Sequence, residues 1–489
     1  MTDAMTVIRR EGTSTNTLVG VGKVPTGIKG LDEVTDGGLP RGRTTLVAGP
    51  AGSGKTLLGV EFLVHGALDH GEPGVLLAFE ETTAELAANV ASLGFDLAGL
   101  QADGLMAIDA LRLDPNLTVE AGEYDLDAVF VRLGFAVDAV AAKRVVLDSI
   151  EVLFGAFDDQ ATVRTELRRL FTWLKDRGLT AVVTGEKGDG LITRHGIEEY
   201  VSDCVITLDH RVREQISTRR LRVVKYRGSM HGTNEFPFLI TERGIEVLPI
   251  TSSHLDHRAS LERVLTGVAR LDDMLGGGIY RGSSVLVRGD AGTGKTTLSA
   301  KMLESACARG ERSLFVSYEE SPEYLIRNMA AVGIDLKEYI GQGLLRIHAV
   351  QPQAFGLEMH LATFLQQVED FRPSIVALDG MIGLASCGSV PEVLSAVLRK
   401  LNHLKARNIT ALVTSLLGTD QNDATGFSSL MDTWLFISNV VTEDEQRRLL
   451  SIRKSRGTVH SSQIREFVLS ETGLDLIDVS GAAQGAADG

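Results

Sequence analysis

The chain has 489 residues, of which 44% are hydrophobic and 23% charged. This composition is ordinary for a globular protein, but the length is too great for one hydrophobic core. The formal net charge of −15 argues against a surface devoted to nucleic acid. Three widely separated cysteines argue against a disulfide framework, and no apolar run is long enough for a signal peptide or a membrane span. We therefore expect a cytoplasmic protein of several domains, without a membrane partner.

The first predicted element with a chemical signature is the apolar strand TTLVAG, which leads into the loop GPAGSGKT at 49–56 and then into a helical pattern. In a GxxxxGK[ST] loop the glycines let backbone N–H groups face phosphate oxygens, the lysine adds positive charge, and the threonine hydroxyl binds Mg²⁺. The segment predicts an ATP-binding loop, with these contacts: Gly52, Ser53, Gly54, Lys55, Thr56 and Leu57.

The next predicted strand, GVLLAF, ends in the acid pair Glu80 and Glu81. The carboxyl ends of strands face the ligand crevice in open α/β sheets. An acid at that place can orient or deprotonate the nucleophile that attacks the γ-phosphate. The alternative is a pair of solvated loop residues, but a double acid at the corresponding point of the second half favours catalysis.

The strand RVVLDS ends in Asp148 and is followed by the helical pattern VRTELRRLFTWLKDRG and the strand TAVVTG. A carboxylate at the end of such a strand can hold Mg²⁺ directly or through water; the alternative is a helix N-cap. Strands that alternate with helices predict a parallel sheet covered on both faces.

The last part of the first half is the basic strand RVREQISTRRLRVVKYR at 211–227. Alternate residues of a strand point to the same face, so Lys225 and Arg227 together suit a polyphosphate, with His231 close behind. A solvated strand edge and a nucleic-acid contact are the two alternatives, and the residues alone do not choose among the three.

The second half repeats these landmarks in the same order. Residues 31–56 and 271–296 align without a gap and are identical at 14 of 26 positions. The acid pair returns as Glu319 and Glu320, the strand-terminal carboxylate as Asp379, and KYRGSMH as KSRGTVH at 454–460. The second loop predicts these nucleotide contacts: Gly292, Thr293, Gly294, Lys295, Thr296 and Thr297.

A period of about half the chain indicates domain duplication. We predict an α/β protein of two tandem RecA-like P-loop domains, each a mostly parallel twisted sheet with helices on both faces. The first domain is expected over 1–250 and the second over 251–489, with a short flexible tail from about residue 480.

These landmarks resemble the KaiC family, circadian clock ATPases and autokinases of the RecA/DnaB superfamily. The resemblance covers roughly residues 18–480 and rests on the paired P-loops, both acid pairs, both K-x-RG-x-x-H segments and IREF at 464–467. It implies a homohexameric double ring in which ATP and Mg²⁺ lie between neighbouring subunits. It also implies slow ATP hydrolysis in the first ring and a serine/threonine protein kinase acting on its own chain in the second.

The resemblance also assigns residues. The metal site would comprise Thr56 and Asp148 in the first half, and Thr296, Glu319 and Asp379 in the second. Contacts to ATP beyond the P-loops are implied for Ser92, Arg219, Lys225, Tyr226, Arg227, Ser229, His231, Thr241, Arg448, Lys454, Ser455, Arg456, Thr458 and His460. The K-x-R segments would reach ATP held by the adjacent subunit.

The phosphorylated pair of the family aligns with Ser428 and Ser429, counted back from KSRG without a gap. Glu319 would accept the hydroxyl proton during in-line transfer of the γ-phosphoryl group, and in the first half Glu80 and Glu81 would act on water instead. Three departures stand out: Ser-Ser replaces Ser-Thr, Ser386 replaces an arginine, and 22 residues follow IREF. The short tail argues against KaiA as a partner and leaves a KaiB-like partner open.

Two other classes of function compete with the autokinase. A RecA-like DNA-dependent motor would use the basic strand to contact phosphates, and a nucleotide-dependent scaffold would use ATP to organise a ring with little turnover. The acidic charge and the Ser-Ser position favour an ATPase that signals through its own phosphorylation; a true circadian rhythm is left open.

Overall fold

A computed structural model of the chain describes residues 21–111, 127–154, 160–188, 192–193, 201–213, 216–249, 259–416, 427–442 and 445–479. The chain divides into two compact units, Met1–Arg211 with Arg219–Pro249, and Val212–Thr218 with Ile250–Gly489. The predicted tail from about residue 480 and the predicted domain boundary between residues 250 and 251 lie outside the described residues. Within the described ranges, no helix combines the length and the apolar character needed to cross a membrane.

The first unit is a nine-stranded sheet flanked by helices, with a small two-stranded sheet beside it. Its strands are β1 (Lys23–Val24), β2 (Leu39–Pro40), β3 (Thr44–Gly49), β4 (Gly74–Ala78), β5 (Met106–Ala110), β6 (Arg144–Asp148), β7 (Thr180–Glu186), β8 (Cys204–Arg213), β9 (Ile216–Tyr226), β10 (Glu235–Thr241) and β11 (Gly244–Val247). Its described helices are α1 (Leu31–Val34), α2 (Lys55–His70), α3 (Thr83–Ala91), α4 (Leu97–Ala102), α5 (Asp127–Val140), α6 (Ile150–Phe154) and α7 (Gln160–Asp176).

The large sheet has the order β11-β10-β9-β8-β3-β7-β6-β4-β5. The six strands from β8 to β5 in that order are parallel, whereas β9, β10 and β11 pair antiparallel. The central strands read as unbroken apolar runs because both faces are covered. In β6, Val146 packs on the side of α2, while Val145 and Leu147 pack on the side of α5 and α7.

The second unit repeats this architecture strand for strand. Its strands are β12 (Arg263–Val264), β13 (Ile279–Tyr280), β14 (Ser284–Gly289), β15 (Ser313–Ser317), β16 (Leu345–Ala349), β17 (Ile375–Asp379), β18 (Thr410–Leu416), β19 (Thr433–Thr442), β20 (Glu445–Ser455), β21 (Arg465–Ser470) and β22 (Gly473–Asp478). Its described helices are α8 (Ala269–Met274), α9 (Lys295–Ala308), α10 (Pro322–Ala330), α11 (Leu336–Gly341), α12 (Leu357–Phe371), α13 (Val390–Ala406) and α14 (Phe427–Leu430).

The sheet order of the second unit, β16-β15-β17-β18-β14-β19-β20-β21-β22, is the order of the first unit read from the other edge. The predicted fold class, two tandem and mostly parallel sheets with helices on both faces, is therefore confirmed. Because β14, β15, β17 and β18 are parallel, their carboxyl ends meet at one edge, and the residues that follow them are brought together there.

Candidate functional site

Each P-loop joins the central strand of its sheet to a long helix. Gly54 and Gly294 precede the helices with φ of 97° and 93°, a left-handed conformation that favours glycine. Lys55 Nζ donates to the carbonyls of Gly49 and Pro50 at 2.9 and 3.0 Å, and Lys295 does the same within its own loop. The helix amino terminus and the lysine together form a cradle suited to phosphate.

A buried carboxylate lies against the second P-loop. Asp379, at the end of β17, is 2% exposed. Its Oδ2 accepts a hydrogen bond of 3.0 Å from the hydroxyl of Thr296, and its Oδ1 accepts one of 2.5 Å from the hydroxyl of Thr414. Burial raises the pKa of Asp379 above its usual value, against these two hydrogen bonds. In the first unit, Asp148 accepts a hydrogen bond from Thr184.

The hydroxyl of Thr296 and the carboxylate of Asp379 fit a magnesium ion. Mg²⁺ prefers oxygen ligands and is usually bound through one or two carboxylates together with substrate phosphates and water. Across the part of the chain that the structure describes, no group of three or more His, Cys, Asp and Glu residues is arranged to hold a metal on its own. This sparse donor set agrees with an ion that arrives with a nucleotide.

The second acid pair faces the same cleft. Burial, and then the negative charge of Asp379, raise the pKa of Glu319, while Lys295 opposes the shift. Glu320 accepts a hydrogen bond of 3.1 Å from the side chain of Asn328, on α10. The second acid is therefore held by the following helix, while the first faces the P-loop lysine.

The first acid pair is held differently. The hydroxyl of Ser149 donates a 3.0 Å hydrogen bond to Glu80 Oε1. Glu81 accepts one of 3.4 Å from Asn89, and burial followed by the charge of Asp148 raises its pKa. The asparagine contact is thus common to both pairs, whereas the serine contact belongs to the first.

The cleft of the second unit has a volume of about 390 Å³. It is lined by residues of the P-loop, the acid pair, α10 and the strand ends, from six separate segments. They are Ala291, Gly292, Gly294, Lys295, Thr296, Thr297, Glu319, Glu320, Asn328, Met329, Asp379, Gly380, Thr414, Ser415 and Leu469. The structure thus places in one cleft the lysine, the threonine and the three carboxylates that the sequence analysis assigned to phosphate, metal and proton transfer.

The K-x-R segment of the first unit lies at the other end of the sheet. The backbone N–H of Arg227 donates to the carbonyl of Asp203, and that of Asp203 donates to Thr44, the first residue of β3. The P-loop follows the last residue of β3. At about 3.3 Å per residue, six residues separate the two ends by roughly 17 Å. Lys225, whose Nζ donates to the carbonyl of Ser202 at 2.8 Å, therefore does not face the P-loop of its own unit.

The second unit shows the same separation and adds the serine pair to it. Arg456 donates from its backbone to Asp432, whose N–H donates to Ser284 at the start of β14. The guanidinium of Arg456 donates to the carbonyl of Ser429 at 2.9 Å. Ser428 and Ser429 belong to α14, and Ser429 is exposed. The serine pair and the Arg456 cation are thus neighbours, at the strand end opposite the P-loop.

The remaining assigned contacts are spread over both ends of the sheets. Thr241 ends β10, whose Ile240 would lie 3.2 Å from a Cβ added to Gly54, so Thr241 is near its own P-loop. Tyr226 is 5% exposed and donates from its hydroxyl to the carbonyl of Gly38 at 2.9 Å. The other assigned contacts lie on α3, β9, β20 or the turns beyond: Ser92, Arg219, Ser229, His231, Arg448, Lys454, Ser455, Thr458 and His460.

Sequence reasoning missed the residues that hold the carboxylates in place. Asn89 and Asn328 each stand eight positions after the second acid of their pair, and Thr184 and Thr414 occupy the same point of β7 and β18. Their recurrence in both halves was a usable signal, since polar residues repeated beside an acid pair or on a buried strand need a partner.

Comparison with known proteins agrees with this geometry. The family model for the KaiC ATPase matches residues 24–252 and 264–480. The circadian clock protein KaiC2 of Synechocystis sp. is 52% identical over 462 residues, which cover 93% of this chain and 81% of that protein. The circadian clock oscillator proteins KaiC of Synechococcus elongatus and Parathermosynechococcus lividus are each 38% identical, covering 94% of this chain and 89% and 86% of theirs.

Proposed function

Because the chain belongs to the KaiC family of ATPases, we propose that it is a homohexameric ATPase and autokinase. Its first site hydrolyses ATP, and its second site transfers the γ-phosphoryl group to Ser428 or Ser429 of the neighbouring subunit. The chemistry of both sites uses ATP with Mg²⁺.

The observation that carries this proposal is the position of the serine pair. Ser429 lies beside Arg456 at the amino ends of β14 and β19, whereas Lys295 and Glu319 lie at the carboxyl ends of the same sheet. Two groups at opposite ends of one sheet cannot react within one chain. A second copy that presents its serine pair to this cleft supplies both the acceptor hydroxyl and the cations Lys454 and Arg456.

In the proposed transfer, Glu319 accepts the proton of the serine hydroxyl as the oxygen bonds to the γ-phosphorus. The bond from that phosphorus to the bridging oxygen breaks, and ADP leaves. The raised pKa of Glu319 suits a group that must take up a proton. Thr296 and Asp379 would hold Mg²⁺, which would neutralise the charge of the phosphates. Lys295 orients the same phosphates.

In the first unit the same arrangement would act on water. Glu80, fixed by Ser149, or its neighbour Glu81 would orient the attacking water, and Lys55 would bind the phosphates. The relatives are named as circadian clock proteins, and we propose that this chain likewise signals or keeps time through its phosphorylation state. A KaiB-like protein is the partner proposed for this output.

A mixing experiment with γ-labelled ATP tests the proposal. A Glu319→Gln chain keeps the serines but lacks the base, and a Ser428→Ala/Ser429→Ala chain keeps the base but lacks the acceptor. Each variant alone should remain unlabelled, while mixed rings should carry label on the Glu319→Gln chain. If the wild-type protein carries label but the mixed rings of the two variants do not, that result would contradict transfer between subunits.

The same assay separates the competing functions. DNA-stimulated hydrolysis without label would indicate a motor, and ring assembly with ATP bound but not hydrolysed would indicate a scaffold. Either result would replace the autokinase proposal. Sedimentation of the wild-type protein with and without Mg·ATP measures the hexamer directly.

A further inference from the structure

A fully buried lysine lies in the second unit, on the face of the sheet away from α9. Lys400, on α13, is 0% exposed. Its Nζ donates to the hydroxyl of Tyr318 at 2.5 Å and stands 5.0 and 5.2 Å from the ring centres of Tyr318 and Phe364. None of the described carboxylates forms an ion pair with it. Burying a charged ammonium group away from water, without a carboxylate partner, costs free energy of folding.

The other titratable groups around this lysine provide no negative charge. His360, on α12, lies 5.8 Å from the Tyr318 ring and bonds through Nε2 to the carbonyl of Pro352 at 2.8 Å. Cys387 donates to the same carbonyl at 2.9 Å, and His348 lies on β16. Burial lowers the pKa of both histidines and raises that of Tyr318, and it lowers the pKa of Lys400 to about 7.

The first unit has an apolar residue at the positions of Tyr318, Lys400 and His360. Phe79 and Tyr318 correspond because each donates its N–H to the aspartate that ends the neighbouring strand. Counted from the same strands, Lys400 corresponds to Leu170 and His360 to Val129. Leu170, Val129 and Phe79 pack together in one apolar cluster. Since the first unit builds the same fold with apolar residues at these three positions, packing alone does not explain the lysine.

Tyr318 connects this buried group to the active cleft. It directly follows β15 and directly precedes Glu319, and its N–H donates to the carbonyl of Asp379 at 3.0 Å. The Tyr318 side chain packs in the apolar cluster with residues of α12 and α13, while Glu319 lines the cleft.

With the proposed role of that glutamate as its basis, we infer that Lys400 is a positioning residue for the second site. Through the Tyr318 hydroxyl it fixes the end of β15 and so the distance from the Glu319 carboxylate to the reacting phosphate. The lysine contacts neither nucleotide nor acceptor. Its removal is therefore expected to lower turnover at the second site without weakening ATP binding.

The test transplants the residues of the first unit into the second. A Lys400→Leu/Tyr318→Phe double variant introduces the apolar residues that the first unit has at these two positions, so it should fold without a loss of melting temperature. Glu80→Gln/Glu81→Gln chains serve as the common background, because they silence hydrolysis in the first unit. ADP release and labelling are then followed from pH 6 to pH 9.

We expect the double variant to lose about tenfold in kcat, as for a slightly misplaced base, with KM for ATP unchanged. The inflection near pH 7 that Lys400 contributes should also disappear. Leu404→Ala, one turn further along α13 at a buried position, is the control for general loosening; it should lower the melting temperature and leave the pH profile in place.

The inference would be overturned if the double variant kept the wild-type kcat and pH profile. It would also be overturned if Leu404→Ala changed the pH profile as much as the double variant does. ADP release decides this question whether or not the serines carry label. If the Glu80→Gln/Glu81→Gln background releases ADP but its serines carry no label, that result would contradict the autokinase proposal and would not affect the proposed role of Lys400.

Discussion

The two nucleotide sites share one frame and differ at the residue after the strand-terminal aspartate. In the first unit Ser149 donates a hydrogen bond to Glu80. In the second, Gly380 occupies that place with φ of 75°, and an added Cβ would lie 2.6 Å from Cγ of Glu319. None of the described residues donates a hydrogen bond to Glu319. One acid is thus held by a hydroxyl, while the other packs against bare backbone.

In the proposed function, this difference suits the two acids to different nucleophiles. A carboxylate that is already hydrogen-bonded has a fixed direction, which suits the orientation of a small water molecule. A carboxylate with a raised pKa that accepts no hydrogen bond from the described residues can approach a bulkier serine hydroxyl and accept its proton. Substitutions at or beside the acid pairs should therefore affect the two reactions separately.

The largest effect is expected from Glu319→Gln. Loss of a general base costs about 10²–10⁴-fold in rate, so self-labelling should fall to background while hexamers remain, since the amide keeps the shape of the side chain. Scintillation counting of purified protein after incubation with γ-labelled ATP measures it. Glu80→Gln is the matched control and should reduce ADP release while labelling continues. Undiminished labelling of Glu319→Gln would remove the proposed base.

The next largest effect concerns the P-loop lysines. Lys55→Ala should weaken nucleotide binding at the first site about 10–100-fold, the usual loss for a hydrogen bond to a charged group. If ATP joins subunits there, ring assembly should be lost with it. Sedimentation velocity at saturating Mg·ATP checks the ring, and Lys295→Ala is the counterpart in the second unit. An unchanged sedimentation coefficient for Lys55→Ala would contradict assembly through this site.

A smaller effect should follow from Gly380→Ser, which gives the second unit the residue of the first. A left-handed conformation costs a non-glycine residue about 1–2 kcal/mol, and the new Cβ must displace Glu319. We expect lower stability of the second unit and slower labelling. Gly341→Ala is the control, because a Cβ there meets nothing within 4 Å. Equal stability and labelling of Gly380→Ser and the wild type would disprove the steric argument.

The last prediction concerns stability alone, whose pH dependence should be opposite in the two units. Burial raises the pKa of Glu61, on α2, to about 8, so the folded first unit holds a proton that the unfolded chain releases above about pH 4.5. Its stability should fall as pH rises from about 5 to 8. Burial lowers the pKa of Lys400 to about 7, so the second unit should gain stability as pH rises from about 7 to 10.

Tryptophan fluorescence can report on each unit separately. The chain has two tryptophans, Trp173 on α7 and Trp434 on β19. Trp434→Phe leaves a probe of the first unit, and Trp173→Phe leaves one of the second. Urea titrations at several pH values give the two free energies of unfolding, and Glu61→Gln and Lys400→Met should each flatten the corresponding curve. If the two free energies of unfolding changed with pH in the same way, Glu61 and Lys400 would not be the groups that determine the pH dependence of stability.

Much of the fold was accessible from the sequence because the signals were local. Residue type and repetition are enough to recognise the P-loops, the acid pairs and the strand-terminal aspartates. Buried parallel strands can be recognised as apolar runs. The separation of Lys225 from Lys55 was not accessible in this way. It depends on the direction in which β9 runs relative to β3, from which β8 separates it, and strand order is a property of the whole sheet.

Lys400 illustrates a different limit. In α13 it stands at helical spacing with Val393, Val397 and Leu404, all buried, so its position on the apolar face was readable. Its partner was not, because Tyr318 is 82 residues away in the chain. A charged residue on an apolar helix face is therefore a sign that a distant polar group must be sought.

In each sheet the phosphate cradle and the cation pair lie at opposite ends. This arrangement affects how ATP binding depends on protein concentration. If ATP binds between subunits as proposed, a lone subunit carries only unpaired halves of its binding sites, with a phosphate cradle at one end of each sheet and a cation pair at the other. Head-to-tail contacts of this kind close into rings when the rotation permits, and only closure completes all the sites. Nucleotide affinity should then increase with protein concentration, so dilution alone would release ATP.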